Sequence, residues 1–214
     1  MIVKICGITN LQDAQTAVEA GADMLGFNFY PPSPRCIRPE TCAAIVEALS
    51  GSGVRFVGIF VNAAVEEVQR VMRLCRLDLA QLSGDEPAVD LAQLEGRAFK
   101  ALRPKNSHEM QEALLRYPPR PQAPAYLLDA YHPAVYGGSG RRVSFDLSVW
   151  LAQRFPILLA GGLTPENVGE AVERVRPYGV DAASGVESAP GKKDAARLRA
   201  FVRAAKCSFQ RQLT

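Results

Sequence analysis

Short apolar runs alternate with longer amphipathic stretches along the whole chain. Eight runs of four to eight residues are bounded by turn-forming residues, which is typical of buried strands. They cover residues 2–5, 24–29, 54–61, 79–82, 98–102, 125–128, 157–160 and 180–183. Each is followed by apolar residues at helical spacing, which predicts helices over residues 11–19, 39–49, 65–74, 88–94, 107–116, 147–154, 165–175 and 195–205.

Two of the predicted helices carry recognisable end signals, the first at both of its ends and the seventh at its start. Asn10 precedes an acidic first turn, where its side chain can accept a hydrogen bond from the helix N-terminus. Gly21 follows the first helix, where left-handed backbone commonly ends a helix. Thr164 before Pro165 predicts an N-cap with proline in the first helical position.

The alternation of eight strands with eight helices predicts a parallel sheet covered by helices. Eight units in 214 residues favour closure into a single (β/α)8 TIM barrel near the minimum size of that fold. We expect one domain over residues 1–214, with residues 205–214 as a C-terminal tail. The alternative is an open doubly wound sheet, although no G-x-G-x-x-G dinucleotide motif follows the first strand. The proline-rich segment 117–124 is interpreted as a loop, because the strand–helix rhythm continues on both sides.

Composition narrows the class of protein. The chain is 48% hydrophobic and carries 25 Lys and Arg against 22 Asp and Glu, with no basic patch of the kind that binds nucleic acid. The most apolar run, residues 56–61, is too short to span a membrane, and no N-terminal run resembles a signal peptide. Five cysteines, an odd number, disfavour a disulfide scaffold and suit a reducing compartment. We therefore expect a cytoplasmic protein with no membrane or nucleic-acid partner.

Two glycine-containing corners follow the seventh and eighth predicted strands. Active sites of (β/α)8 barrels lie at the C-terminal ends of the strands, and these two loops often bind phosphate through backbone N–H groups. Gly161 and Gly162 form the first corner, and Ser184 and Gly185 form the second. Together they favour a phosphate site, although each alone could be only a tight turn.

Three reactive side chains lie near predicted strand ends. Cys6 and Asp129 could act as general base and general acid across one barrel mouth, although a strand cysteine is often inert filler and Asp129 could be a loop cap. Arg35 ends a loop stiffened by prolines and could bind a carboxylate in bidentate fashion, or simply be solvated.

No metal site is predicted. His108 and His132 have no neighbouring ligands in the sequence, and the six-residue spacing of Cys36 and Cys42 lacks a second pair.

These residues resemble one family closely, the phosphoribosylanthranilate isomerases of tryptophan biosynthesis. The cysteine–glycine opening together with the Ser-Pro-Arg loop is the most specific part of the resemblance. The matching stretches are residues 4–9 (KICGIT), 26–29 (GFNF), 33–35 (SPR), 57–62 (VGIFVN), 81–82 (QL), 84–86 (GDE), 100–101 (KA), 128–130 (LDA), 137–140 (GGSG), 160–167 (AGGLTPEN), 180–181 (VD) and 184–192 (SGVESAPGK).

The resemblance implies a cofactor-free Amadori rearrangement of N-(5'-phosphoribosyl)anthranilate to the corresponding 1-amino-1-deoxyribulose phosphate. Asp129 would protonate the furanose oxygen, and Cys6 would remove the C2′ proton. Arg35 would hold the anthranilate carboxylate. Gly161, Gly162, Ser184 and Gly185 would bind the phosphate. The partner is then a small-molecule substrate, and family members are monomers or homodimers.

Two positions depart from the family pattern: Ser83 stands where histidine is frequent, and Cys36 where an aromatic residue is common. Other sugar-phosphate barrels remain as alternatives. The histidine-pathway isomerase would have Asp in place of Cys6, and indole-glycerol-phosphate synthase would use a lysine acid with glutamate partners. A non-catalytic phosphate-binding barrel is disfavoured by the presence of both Cys6 and Asp129.

Overall fold

The computed structural model describes residues 1–129 and 145–211. Eight parallel strands pair in sequence order and close into a barrel. The strands are β1 (Ile2–Cys6), β2 (Met24–Asn28), β3 (Arg55–Phe60), β4 (Leu79–Leu82), β5 (Ala98–Leu102), β6 (Tyr126–Asp129), β7 (Ile157–Ala160) and β8 (Gly179–Ala182). The helices between and after them are α1 (Leu11–Glu19), α2 (Pro39–Ala48), α3 (Val65–Leu74), α4 (Ala88–Gln93), α5 (Ser107–Arg116), α6 (Phe145–Ala152), α7 (Val168–Val175) and α8 (Ala195–Gln210).

The predicted (β/α)8 barrel is confirmed, and the differences are at element ends. Helix α8 continues to Gln210 instead of ending near residue 205, so most of the expected tail is helical. Helix α7 begins at Val168, not at Pro165. The Asn167 side chain accepts from the Thr164 N–H at 2.8 Å and donates to the Gly162 carbonyl at 3.0 Å. These bonds hold the preceding residues in a separate turn.

The predicted start and end of α1 are confirmed. The Asn10 side chain accepts a hydrogen bond from the Asp13 N–H at 2.9 Å, as an N-cap does. Gly21 has a φ of +92°, in the region that favours glycine. The proline-rich segment 117–124 is the loop from α5 to β6, as expected.

Two apolar layers hold the barrel together, because both faces of a parallel sheet are buried. The outer layer lies between the strands and the helices. The barrel interior contains Met24, Val57, Leu79, Phe99, Ala101, Leu127, Leu158 and Ala160. Lys4 pairs in register with Met24 on one side and Asp181 on the other, so these two charged side chains also face the interior.

The segment after β8 has structure that was not predicted. A short 3-10 helix, Ser184–Val186, is followed by the antiparallel strands β9 (Glu187–Ala189) and β10 (Lys192–Lys193). This hairpin brings Glu187 and Lys193 to the C-terminal end of the barrel. Among the described residues, none of the helices is long and apolar enough to cross a membrane.

Candidate active site

Cys6 is the last residue of β1 and is half-buried at the C-terminal end of the barrel. Its register neighbour on β2 is Gly26. A Cβ at Gly26 would lie 3.1 Å from the Cys6 Sγ atom and 3.0 Å from Ile59, closer than ordinary contacts. Glycine at this position therefore provides the space that the thiol occupies.

Two lysines lie around Cys6. The Lys193 ammonium donates to the Cys6 carbonyl oxygen at 2.7 Å, and Lys4 lies two residues earlier on the inner face of β1. Burial raises the pKa of the Cys6 thiol, Lys4 and Lys193 oppose that rise, and Asp181 adds to it. The thiolate is thus disfavoured by burial and supported by two cations.

Lys4 and Asp181 form an ion pair inside the barrel. The Lys4 Nζ atom lies 2.9 Å from the Asp181 carboxylate, and the Lys4 side chain is 0% exposed. Burial opposes the charge on Lys4, but Asp181 and Cys6 together bring its pKa above the ordinary value. Sequence reasoning assigned no role to either residue. The feature of the sequence that could have identified them is a single charged residue within each of two otherwise apolar strands.

Asp129 is the last residue of β6, in register with the interior residue Ala160 on β7. Its carboxylate faces the same barrel end as Cys6, because all eight strands are parallel. Arg103, just past β5, lies 3.2 Å from the Asp129 carboxylate. Burial raises the pKa of Asp129, Arg103 opposes that rise, and Asp181 adds to it. A raised pKa favours the protonated form that a general acid requires.

Arg35 is held at the mouth by a buried carboxylate. Its guanidinium donates to both oxygens of Glu187, at 2.8 and 2.6 Å, and its aliphatic stem packs against Gly7. These hydrogen bonds, which Glu187 accepts, raise the pKa of Arg35. Glu187 also accepts from Lys193 at 2.9 Å. Among the described residues the Arg35 Nη1 group has no protein partner, so it is available to a ligand.

The two glycine corners touch each other. Gly161 and Gly162 have φ values of +102° and +65°, which favour glycine. A Cβ at Gly185 would overlap the Leu163 carbonyl oxygen, so the loop after β8 packs directly on the loop after β7. Arg197 donates to the Gly185 carbonyl at 3.1 Å and fixes the second corner. The backbone of both corners therefore lies side by side at the barrel end.

The two departures from the family pattern lie outside these contacts. Ser83 is buried, and its hydroxyl accepts from the Gln81 amide at 3.1 Å. Cys36 is exposed.

The described residues hold no group of three or more metal-ligating side chains, and His108 lies on the surface, 3.6 Å from Glu112. His132, Ala130 and the 137–140 stretch lie outside the described residues.

Comparison with known proteins points to one family. The family model described as N-(5'phosphoribosyl)anthranilate (PRA) isomerase matches residues 3–204. An N-(5'-phosphoribosyl)anthranilate isomerase of Geobacter sulfurreducens is 50% identical over 204 residues, covering 95% of this chain and 98% of the relative. Its counterpart in Geobacter metallireducens is 48% identical over the same length, with the same coverage of both chains.

Solved structures agree with the sequence relatives. The phosphoribosyl anthranilate isomerase of Thermotoga maritima has a TM-score of 0.84 at 42% identity, covering 97% of this chain and 100% of its own. A second structure, of a phosphoribosyl anthranilate isomerase in complex with reduced 1-(o-carboxyphenylamino)-1-deoxyribulose 5-phosphate, has a TM-score of 0.83 at 39% identity, with the same coverage.

Proposed function

The chain belongs to the N-(5'-phosphoribosyl)anthranilate isomerase family, and from that premise we propose that Cys6 and Asp129 are its catalytic base and acid. The chain is an isomerase of tryptophan biosynthesis that converts phosphoribosylanthranilate to 1-(2-carboxyphenylamino)-1-deoxyribulose 5-phosphate. The single observation that carries the assignment is that a thiol and a carboxyl stand at the C-terminal ends of β1 and β6, at the same mouth of the barrel.

Asp129 acts first, as the general acid. It donates its proton to the furanose ring oxygen, the C1′–O bond breaks, and the nitrogen lone pair forms the C1′=N bond of a protonated Schiff base. The raised pKa of Asp129, due first to burial, keeps more of the carboxyl protonated at a given pH.

Cys6 acts second, as the general base. Its thiolate removes the C2′ proton, and the C–H electrons form a C1′=C2′ double bond while the iminium nitrogen accepts the displaced pair. The resulting enolamine takes up a proton at C1′ and loses the proton of its C2′ hydroxyl, so that the C2′–O bond becomes the carbonyl of the ketone. No cofactor is required, because the protonated Schiff base of the substrate is itself the electron sink.

Two further contacts fix the ends of the substrate. Arg35, already oriented by Glu187, offers its Nη1 group to the anthranilate carboxylate, a charge-assisted interaction. The backbone N–H groups of Gly161, Gly162, Ser184 and Gly185 receive the phosphate, which suits the loops after β7 and β8.

The proposed location is the cytoplasm, where the five unpaired cysteines would stay reduced. The proposed assembly is a monomer or a homodimer. One related structure is described as monomers generated from the dimeric isomerase of Thermotoga maritima.

The activity is tested by the loss of phosphoribosylanthranilate fluorescence after addition of the purified protein. In that assay Arg35→Ala should raise the Michaelis constant by about tenfold or more, since a charged hydrogen bond contributes about 1.5–3 kcal/mol. The matched control is Arg38→Ala, an exposed arginine three residues on, which should behave as the unaltered protein. An unchanged Michaelis constant in Arg35→Ala would remove Arg35 from the site.

A further inference from the structure

The interior of a (β/α)8 barrel is normally filled by branched apolar side chains. Here one position of that interior is a fully buried ammonium, Lys4, paired with a carboxylate of Asp181 that is 9% exposed. A buried ion pair is often no more stable than apolar residues of similar volume, because desolvation offsets the attraction. The stability of the barrel therefore does not explain why an ion pair stands at this position.

The ion pair lies next to Cys6, the proposed catalytic base. Lys4 and Cys6 are separated by one residue on β1, so both side chains face the interior, and Lys4 is in register with Asp181. The charged groups that act on Cys6 are Lys4, Asp181, Lys193 and Arg35, from β1, β8, β10 and the loop after β2.

Asp129 has a smaller set of charged neighbours. Arg103 after β5 and Asp181 on β8 are the two described groups that act on it. Asp129 and Asp181 lie on β6 and β8, the two strands that pair with β7. Asp181 thus acts on both proposed catalytic groups, and in each case it favours the protonated form.

We propose that Lys4 and Asp181 are positioning residues that set the protonation states of the two catalytic groups, a thiolate at Cys6 and a protonated carboxyl at Asp129. Lys4 lies beneath Cys6 and stabilises its thiolate, while the Asp181 carboxylate favours a protonated Asp129. The inference rests on the proposed roles of Cys6 and Asp129 and deepens them.

The consequence for catalysis follows from the two ordinary pKa values. A thiol titrates near 8.5 and an aspartate near 3.9, so the productive form, a thiolate with a protonated carboxyl, is a minor species. Any loss of thiolate stabilisation makes it rarer still. Loss of Lys4 should therefore lower kcat/KM by the same factor by which it lowers the thiolate fraction.

The direct test measures the alkylation rate of the Cys6 thiol, which does not depend on turnover. Cys6 is alkylated with iodoacetamide across a range of pH, and the Cys6 peptide is quantified by mass spectrometry, because the exposed Cys36 and Cys207 also react. Lys4→Met should slow Cys6 alkylation near neutral pH by about tenfold or more, since one opposite charge this close changes a pKa by about 1–3. The exposed control Lys105→Met should leave the rate unchanged.

Two companion variants exclude a merely structural role. Unfolding would expose Cys6 and speed its alkylation, so a slower rate in Lys4→Met cannot come from unfolding. The double variant Lys4→Met/Asp181→Asn removes both charges, and it should remain folded yet still alkylate more slowly than the unaltered protein. Asp181→Asn alone should move the acidic limb of the kcat/KM profile to lower pH, because Asp129 loses a neighbouring negative charge.

The outcomes separate this inference from the proposed function. If Cys6→Ser keeps turnover, the base assignment fails and the inference fails with it. If Cys6→Ser is inactive but Lys4→Met alkylates at the unaltered rate in a folded protein, only the role of Lys4 is wrong. If the acidic limb does not move in Asp181→Asn, the role of Asp181 is wrong.

Discussion

Lys193 donates hydrogen bonds to three acceptors at the barrel mouth: the carbonyl oxygens of Cys6 and Ala183 and the Glu187 carboxylate. Asp129, by contrast, forms one described ion pair, with Arg103, whose side chain is 62% exposed. The environment of Cys6, the proposed base, is thus fixed by buried groups, whereas that of Asp129, the proposed acid, is partly open to solvent. Substitution of the exposed Arg103 is therefore the most direct way to change the pKa of Asp129.

The pH dependence of kcat/KM should be a broad plateau. Below the pKa of Asp129 the carboxyl is fully protonated and the rate rises with pH as thiolate forms. Above the pKa of Cys6 the thiolate is complete and the rate falls as the protonated carboxyl disappears. Burial raises both pKa values, so both limbs should lie at higher pH than for an exposed aspartate and an exposed cysteine.

Arg103→Leu tests which limb belongs to Asp129. The guanidinium lowers the pKa of Asp129, so its removal should move the acidic limb to higher pH and leave the basic limb in place. Arg116→Leu, an exposed arginine at the end of α5, is the matched control. If only the basic limb moved in Arg103→Leu, the assignment of the two groups would be reversed.

Glu86 is a buried residue near the barrel mouth whose contacts should contribute strongly to the free energy of unfolding. It is 2% exposed, its carboxylate lies 2.6 Å from the Lys100 ammonium, and it accepts from the Asn62 and Gly84 N–H groups. Glu86→Leu leaves that buried ammonium unpaired, so it should lower the free energy of unfolding by about 3–5 kcal/mol.

Chemical denaturation measures the loss, and Glu67→Ala is its control. Glu67 pairs with Arg70 on the surface of α3, where both side chains are about half exposed. Its removal should cost less than about 1 kcal/mol. Equal losses in Glu67→Ala and Glu86→Leu would contradict the importance of burial.

At the scale of elements, the loops after β7 and β8 act as one unit. Gly185→Ala would place a Cβ on the Leu163 carbonyl oxygen, so the two corners must move apart. If both corners bind the phosphate, this change should raise the Michaelis constant by about tenfold or more and weaken inhibition by inorganic phosphate, with a smaller effect on kcat.

Gly96→Ala separates this effect from backbone strain. Gly96 has a φ of +73° and no neighbour closer than 3.7 Å to a Cβ, and it lies before β5, at the opposite end of the barrel. The substitution should cost about 1–3 kcal/mol of stability and leave the Michaelis constant unchanged. A Michaelis constant that stayed constant in Gly185→Ala as well would remove this corner from the phosphate site.

Element boundaries were predictable where local patterns decide them. Helix α1 lies between Asn10 and Gly21 as the sequence indicated, because both end signals act within one turn. The β9–β10 hairpin gave no such signal. Its strands are three and two residues long, without apolar alternation, and its side chains bond to distant parts of the barrel.

At the scale of the whole molecule, the eightfold alternation predicted the closed barrel, and strand ends located Cys6 and Asp129. The residues that form ion pairs around them could not be predicted from the sequence in the same way. Lys4 and Asp181 are 177 positions apart, and Arg35 and Glu187 are 152 apart. Such pairs exist only because closure brings β8 and its following hairpin against β1, which no local pattern encodes.

The central claim is that isomerisation depends on the thiol at the end of β1 and the carboxyl at the end of β6. The most direct measurement is kcat of Cys6→Ser and of Asp129→Asn, from the loss of phosphoribosylanthranilate fluorescence at saturating substrate. Each should lower kcat by about 10²–10⁴-fold with little change in the Michaelis constant, as for a group that transfers a proton in the transition state. Turnover within a few-fold of the unaltered protein in either variant, shown to be folded, would contradict the account.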